Sequence, residues 1–264
     1  MQGVTHYMID EWNPDEEFNV MIFQKRVKEI MEDIYNRGKI PILVGGTGFY
    51  IQAVLNDIAF TKEKQGDEIR ADLQNLAKEK GASYLHHELQ KVDKESAEAI
   101  HPNNIKRVIR ALEYFQSTGQ KFSDHNKEER QKGSPYNFLY LVLTMNRKVL
   151  YERIDKRVDQ MMEEGLVKEV KQLLDAGYSR NLVSMQGLGY KEIASALFKE
   201  CTMEEAVYRL KRDTRHFAKR QMTWFRRERD VTMINKDNFS NNHEIVNYIM
   251  KLAVEKGICS CREG

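Results

Sequence analysis

The chain has 264 residues, 41% hydrophobic and 31% charged, which is the balance of a globular protein with room for one large domain or two small ones. Cys201, Cys259 and Cys261 are badly spaced for a disulfide framework, and Cys259-x-Cys261 lacks the His or Cys neighbours of a zinc site. No apolar run approaches the roughly 18 residues of a membrane span and no signal peptide follows Met1, so no membrane contact and a cytoplasmic location are expected, while a net charge of +2 says nothing of partners until its distribution is seen.

Val4 to Ile9 is a short strand candidate. From Phe18 to Arg37 apolar residues recur at Val20, Phe23, Val27, Ile30, Met31 and Ile34, the spacing of a helix, with Gly38 suited to the position just past its end. Ile40 to Val44 is a continuous apolar run. It predicts a strand buried on both faces, and strand–helix–strand predicts a parallel sheet. Gly45, Gly46 and Gly48 then turn the backbone, and helical spacing resumes at Phe49 to Leu55. Such a turn aims backbone N–H groups and a helix N-terminus at one point, which favours an anion. Thr47 places a hydroxyl there. The turn is not a Walker A loop, because no Gly-Lys-Ser/Thr follows. An ordinary strand-to-helix turn is the plain alternative.

After Phe60 the texture changes. Thr61 to Asp67 is polar, and helical patterns follow around 68–80, 82–91, 93–100 and 104–117, with no strand pattern between them. Residues 120–134 are polar and charged. Residues 62–135 therefore read as a helical insertion between a first part, 1–61, and a second part, 136–264. Tyr136 to Met145 is a buried strand. Helices are predicted at 147–163, 164–176, 189–198 and 203–228, with Thr202 and Glu205 spaced as a capping box for the last. Val231 to Ile234 is a short edge strand, and 242–256 a terminal helix.

Charge is concentrated in Arg209 to Arg229, where nine Lys or Arg face only Asp213 and Glu228. Arg212, Arg215, Lys219 and Arg226 lie roughly along one side of that helix, interleaved with Phe217, Trp224 and Phe225. A solvated helix with an apolar face is one reading. Phosphate binding, of an RNA backbone or a diphosphate, is the other. Lys106, Arg107 and Arg110 occupy the first turns of a helix, where cations oppose its dipole and an anionic partner would offset the cost. Arg153 to Met161 and Met185 to Glu192 are two further segments that carry charge or glycine.

Taken together these segments resemble the tRNA dimethylallyltransferase, or isopentenyl-tRNA transferase, family. The matching stretches are HYMID (6–10), RGKIPILVGGTGFYI (37–51), IHPNNIKRVIRALE (100–113), RVDQMMEEGL (157–166), QGLGYKE (186–192) and TRHFAKRQMTWFR (214–226). The resemblance implies a P-loop-NTPase-like α/β fold, a parallel sheet flanked by helices with a helical insertion, and the nucleotide binding (ATP included) of that class. It implies transfer of a dimethylallyl group from dimethylallyl diphosphate to N6 of the adenosine 3′ to the anticodon, adenosine-37, with Mg²⁺ beside the diphosphate. It places Thr47 at the reaction centre against the acceptor base, Arg157 as a catalytic and diphosphate residue, and Arg215 on the diphosphate. Arg70, Lys106, Arg107, Arg110, Gln186, Gly187, Gly189, Tyr190, Lys219, Arg220, Gln221, Trp224 and Arg226 match tRNA-contacting segments. The insertion would grip the anticodon stem-loop, and the chain would act as a monomer.

The family also carries a Gly-Pro-Thr-x-x-Gly-Lys-Ser/Thr phosphate loop and an Asp-Ser-x-Gln segment whose Asp is the general base. Neither occurs in residues 1–264, and Met1-Gln-Gly-Val matches the family's third strand. The chain thus reads as a member lacking its first strand–helix units, expected to fold poorly or to be inactive alone. The alternative from another class is a catalytically inactive tRNA-binding remnant. A free adenine nucleotide as acceptor is disfavoured by the insertion and the basic helix, since a small acceptor needs no such surface.

Overall fold

The structure, a computed structural model, describes residues 3–60 and 66–260. Met1, Gln2, Cys261 and most of the polar segment after Phe60 lie outside the described residues. In chain order the elements are α1 (Val20–Asn36), α2 (Gly48–Leu55), α3 (Gly66–Lys80), α4 (Ala82–Val92), α5 (Lys94–Ala99), α6 (Ile105–Thr118) and α7 (Phe122–Gln131). Then come β1 (Tyr140–Thr144), α8 (Arg147–Glu163), α9 (Leu166–Asp175), α10 (Tyr190–Leu197), α11 (Met203–Phe225), β2 (Val231–Asn235) and α12 (Asn242–Glu255). Two compact units emerge, one of residues 1–51 with 137–264 and one of residues 52–136.

In the first unit α1 starts where Asn19 accepts hydrogen bonds from the Met21 and Ile22 amides, at 2.9 and 3.1 Å. Its apolar stripe buries Val27 and Ile30. β1 and β2 pair in parallel, Tyr140 opposite Val231 through Thr144 opposite Asn235. The edge strand foreseen at 231–234 is therefore a partner of the strand foreseen at 136–145. Between them run α8 to α11, whose facing stripes bury Val158, Val170, Ile193, Ala206 and Leu210 in one core together with Met185 of the turn between α9 and α10. The Thr202 hydroxyl accepts from the Glu205 amide and the Glu205 carboxylate accepts from the Thr202 amide, both at 3.1 Å. That reciprocal cap fixes where α11, the longest helix at 23 residues, begins.

Among its described residues the second unit has helices and no strand. Leu85, Leu89, Val108, Ile109 and Leu112 form its core, with α3, α4 and α6 packed together. Buried Asp93 caps α5 by accepting from the Ser96 amide and accepts two further hydrogen bonds from Ser123, at 2.8 Å each. Those bonds tie α5 to α7, a helix the sequence reading left as polar chain. Tyr114 of α6 stacks on His125 of α7 with centroids 4.8 Å apart.

Two expectations are corrected. Residues 4–9 and 40–44 form no strand among the described residues, and Met8 bends the first of them at φ +64. Ile42 and Val44 are 82% and 88% exposed, so the run is not buried on both faces. The reason is physical: an apolar strand needs a hydrogen-bonding neighbour on at least one edge, and no described segment pairs with this one.

Candidate active site

α11 is the spine of the site, and three contacts fix its position. Near its C-terminus, Phe225 is buried edge-on against Tyr140 of β1, with centroids 6.2 Å apart. Burial, with the Glu228 carboxylate adding to it, pushes the Tyr140 hydroxyl up to about 12, so this ring stays neutral. One turn earlier, the Gln221 amide donates to the Gly46 carbonyl at 2.9 Å. The Trp224 indole lies against Gly48 so closely that a Cβ there would fall 2.1 Å from Nε1. The glycine turn is therefore seated on the end of α11, and that close approach explains Gly46 and Gly48.

Thr47, between those two glycines, is exposed. Its carbonyl accepts from the Tyr50 and Ile51 amides at 3.0 and 3.3 Å, which puts the hydroxyl at the N-terminal end of α2. Tyr50, on the other side, packs on Phe23 of α1 with centroids 4.9 Å apart. The turn thus has a rigid floor and an open face carrying one hydroxyl and a helix N-terminus, an arrangement suited to an anion or to the edge of a base.

Farther up α11, Arg215 donates to Asp155 of α8 at 2.5 Å and Lys211 pairs with Asp159 at 2.6 Å. These crossed i, i+4 pairs make α8 and α11 antiparallel and place Arg157 level with Asp213. At about 1.5 Å rise per residue, Arg215 lies about 9 Å along the axis from Gln221, and Arg157 about 12 Å. Arg157 donates to Glu164 at 3.2 Å. With Arg153 it borders a cavity of about 270 Å³ walled largely by Ile154, Val158, Met161, Leu188 and Leu210.

The Gln186–Tyr190 segment turns on Gly189 at φ +101, and the Gly189 amide donates to buried Glu192 at 2.9 Å. The Gln186 amide donates to the Arg180 carbonyl at 2.7 Å, and the Tyr190 hydroxyl donates to Glu169. Burial first, and that bond second, push the Tyr190 hydroxyl up to about 12. These side chains hold their own loop in shape. Beside them a second cavity of about 270 Å³ is lined by Arg180, Gln186, Lys191, Glu192, Arg209 and Asp213, among others. Lys219 and Arg220 on α11 and Arg226 just past its end are exposed, with Arg220 over the Phe217 ring at 5.8 Å.

In the helical unit, Lys106 and Arg107 are exposed on the first turn of α6. Arg70 of α3 and Arg110 of α6 meet at one carboxylate, that of Glu113, which the sequence reading passed over. Its signal was present, since Glu113 follows Arg110 by three residues. Asp155 and Asp159 were also missed, though their spacing of four mirrors that of Lys211 and Arg215.

Comparison with known proteins shows the family. The model of the IPP transferase family matches residues 1–228. A tRNA dimethylallyltransferase of Lachnoclostridium phytofermentans is 56% identical over 258 residues, 98% of this chain and 82% of that protein. One from Acetivibrio thermocellus is 48% identical over 93% of this chain and 78% of its own. Among solved structures, the tRNA isopentenylpyrophosphate transferase of Bacillus halodurans superposes with a TM-score of 0.68 at 42% identity, covering 97% of this chain and 81% of that one. A eukaryotic dimethylallyltransferase acting on tRNA gives 0.76 at 26% identity, covering 95% and 67%. A P-loop-like α/β fold, a parallel sheet with flanking helices, and a match running from residue 1 through the end of α11 place the chain in the IPP transferase family, that of the tRNA dimethylallyltransferases.

Proposed function

We propose that this protein transfers the dimethylallyl group of dimethylallyl diphosphate to N6 of the adenosine 3′ to the anticodon, adenosine-37, in tRNA. The observation that carries the reading is the family match across residues 1–228, within which the glycine turn is seated on Gln221 and Trp224. In the reaction the bond from C1 of the allyl group to diphosphate oxygen breaks and the bond from N6 to C1 forms. Diphosphate departs with the electron pair, and the N6 proton passes to water or to the departing diphosphate.

The chain's own residues supply binding and charge. Thr47, at the open face of the turn, is assigned to the acceptor base and the developing charge beside it. Arg215 is assigned to the diphosphate. Its carboxylate partner Asp155 holds the guanidinium in place, and a diphosphate oxygen would take a share of the same fork. Arg157 is assigned as a second diphosphate contact, released from Glu164. Arg70, Lys106, Arg107 and Arg110 in the helical unit, and Lys219, Arg220 and Arg226 on α11, are assigned to the tRNA backbone. Trp224 faces the turn and is assigned to positioning it first and to the base second.

Mg²⁺ is expected to accompany the diphosphate. Among the described residues no group of three or more His, Cys, Asp or Glu forms a cage for a cation. Mg²⁺ would bind through the diphosphate's own oxygens, as it commonly does with phosphates, and would offset their charge. No described helix is long and apolar enough to cross a membrane. With tRNA as acceptor, the cytoplasm is the proposed location and a monomer the proposed form. The inactive, tRNA-binding alternative draws no support from the relatives above, which are named as transferases.

The test is direct. Purified chain, unmodified tRNA, dimethylallyl diphosphate and Mg²⁺ are incubated, and the tRNA is digested and analysed by nucleoside mass spectrometry. Isopentenyladenosine at the position after the anticodon supports the reading. Saturable tRNA binding without that product would favour the inactive alternative.

A further inference from the structure

Glu113 is 2% exposed, yet it lies beneath two arginines that are close to half exposed, at 45% for Arg70 and 43% for Arg110. Arg70 grips it side-on, donating from Nη2 to Oε1 at 2.7 Å and from Nε to Oε2 at 3.2 Å. Arg110 donates from Nη1 to Oε1 at 3.1 Å. One carboxylate thus receives three N–H bonds from guanidiniums on two helices, α3 and α6. Burying a carboxylate in this way is weak evidence of stability, because an apolar side chain of similar size often serves as well. It does fix the rotamers of two long side chains and sets the distance between their charged ends. The group keeps a net positive charge, and Lys106 and Arg107 extend it along the same helix.

We infer that Glu113 is a positioning residue for tRNA: it holds Arg70 and Arg110 as a preformed pair of guanidiniums that takes phosphate oxygens of the RNA backbone. The inference rests on the reading that this helical unit grips tRNA. Its physical content is a sign. A carboxylate beside a phosphate site repels phosphate, so by charge alone its removal would tighten binding. If its role is to hold the two forks in place, removal weakens binding instead, because the ordering must then be done at the moment of association.

The experiment uses the full chain and unmodified tRNA at one fixed salt concentration. Glu113→Gln keeps size and removes charge. The expected result is a rise of about tenfold in the tRNA Kd and KM, with kcat and the KM for dimethylallyl diphosphate unchanged within about twofold. In a background carrying Arg70→Ala and Arg110→Ala, the same substitution is expected to change tRNA binding no further, since the groups it positions are gone. Arg70→Lys, which keeps the charge and loses the fork, is expected to weaken binding in the same direction. Unchanged or tighter binding by Glu113→Gln overturns the inference. So does an equal loss in both backgrounds, which would mark a merely structural role, and so does wild-type affinity in Arg70→Lys. If Arg70→Ala with Arg110→Ala binds tRNA as the parent does, the tRNA reading of this surface fails first, whatever Glu113 does.

Discussion

Gly46 and Gly48 flank Thr47, and they differ in what a methyl group would meet. At Gly46 a Cβ would fall 2.1 Å from the Gln221 amide nitrogen, the far end of a flexible side chain. At Gly48 it would fall 2.1 Å from Nε1 and 2.2 Å from Cδ1 of Trp224, a rigid ring. Gly48→Ala is therefore expected to cost about 1–3 kcal/mol and to displace Thr47, cutting prenyl transfer more than tenfold. Gly46→Ala should be milder in both melting temperature and rate. Equal effects would show that Trp224 is not the constraint. Thr47→Ala should lower the rate with the melting temperature unchanged, as its side chain is exposed. An unchanged rate would remove Thr47 from the mechanism.

Elements meet through charged side chains, and two joints can be tested. Arg215 and Lys211 both pair α11 to α8, one turn apart. If only Arg215 reaches diphosphate, Arg215→Ala raises the KM for dimethylallyl diphosphate about tenfold or more, and Lys211→Ala leaves it near the parent value with a similar small loss of stability. Steady-state kinetics on the pair decides it. Asp93 joins α5 and α7. Burial alone would raise its pKa, but hydrogen bonds from Ser96 and Ser123 outweigh it and hold the carboxyl below its ordinary value of 3.8. A depressed folded pKa means the ionised form favours the fold. That contribution is fully present above the unfolded value and is lost as pH falls below it, through the folded one. Asp93→Asn is expected to cost about 1–3 kcal/mol at neutral pH, and the difference from the parent should shrink below pH 4. Thermal melts at pH 7 and at pH 3 would measure both.

At the scale of the molecule, Ile40, Ile42 and Val44 form an exposed apolar run beside the active turn, at 51%, 82% and 88%. Such a run is a site of association. The chain is expected to bind a hydrophobic dye and to self-associate with rising concentration. Ile42→Lys with Val44→Lys should reduce both signals in light scattering and fluorescence without loss of helical circular dichroism. A monodisperse parent with no dye binding would contradict this. The helical unit has its own core and its own capping network, so residues 52–136 made alone are expected to melt cooperatively.

Most of the helices were legible because each carries a complete local signal. α1 has its spacing and Gly38, and α11 has Thr202 and Glu205 for a start. The family resemblance was legible for the same reason, since its motifs are short runs read within one segment. α7 was not, because only Phe122 marks an apolar face and its buried partners, Ser123 and Glu129, are polar. Strand 40–44 was misread, because an apolar run reports a preference for burial and cannot report whether a neighbour is there to provide it. The same limit applied to the site. The sequence by itself marked Thr47, Arg215 and Trp224 as residues of interest, through composition and motif. Only the tertiary structure decided that Trp224 supports the glycine turn, that Arg215 pairs with Asp155, and that Glu113 joins Arg70 to Arg110. Those facts depend on which side chains meet across 43 to 176 positions of chain, and packing alone sets that.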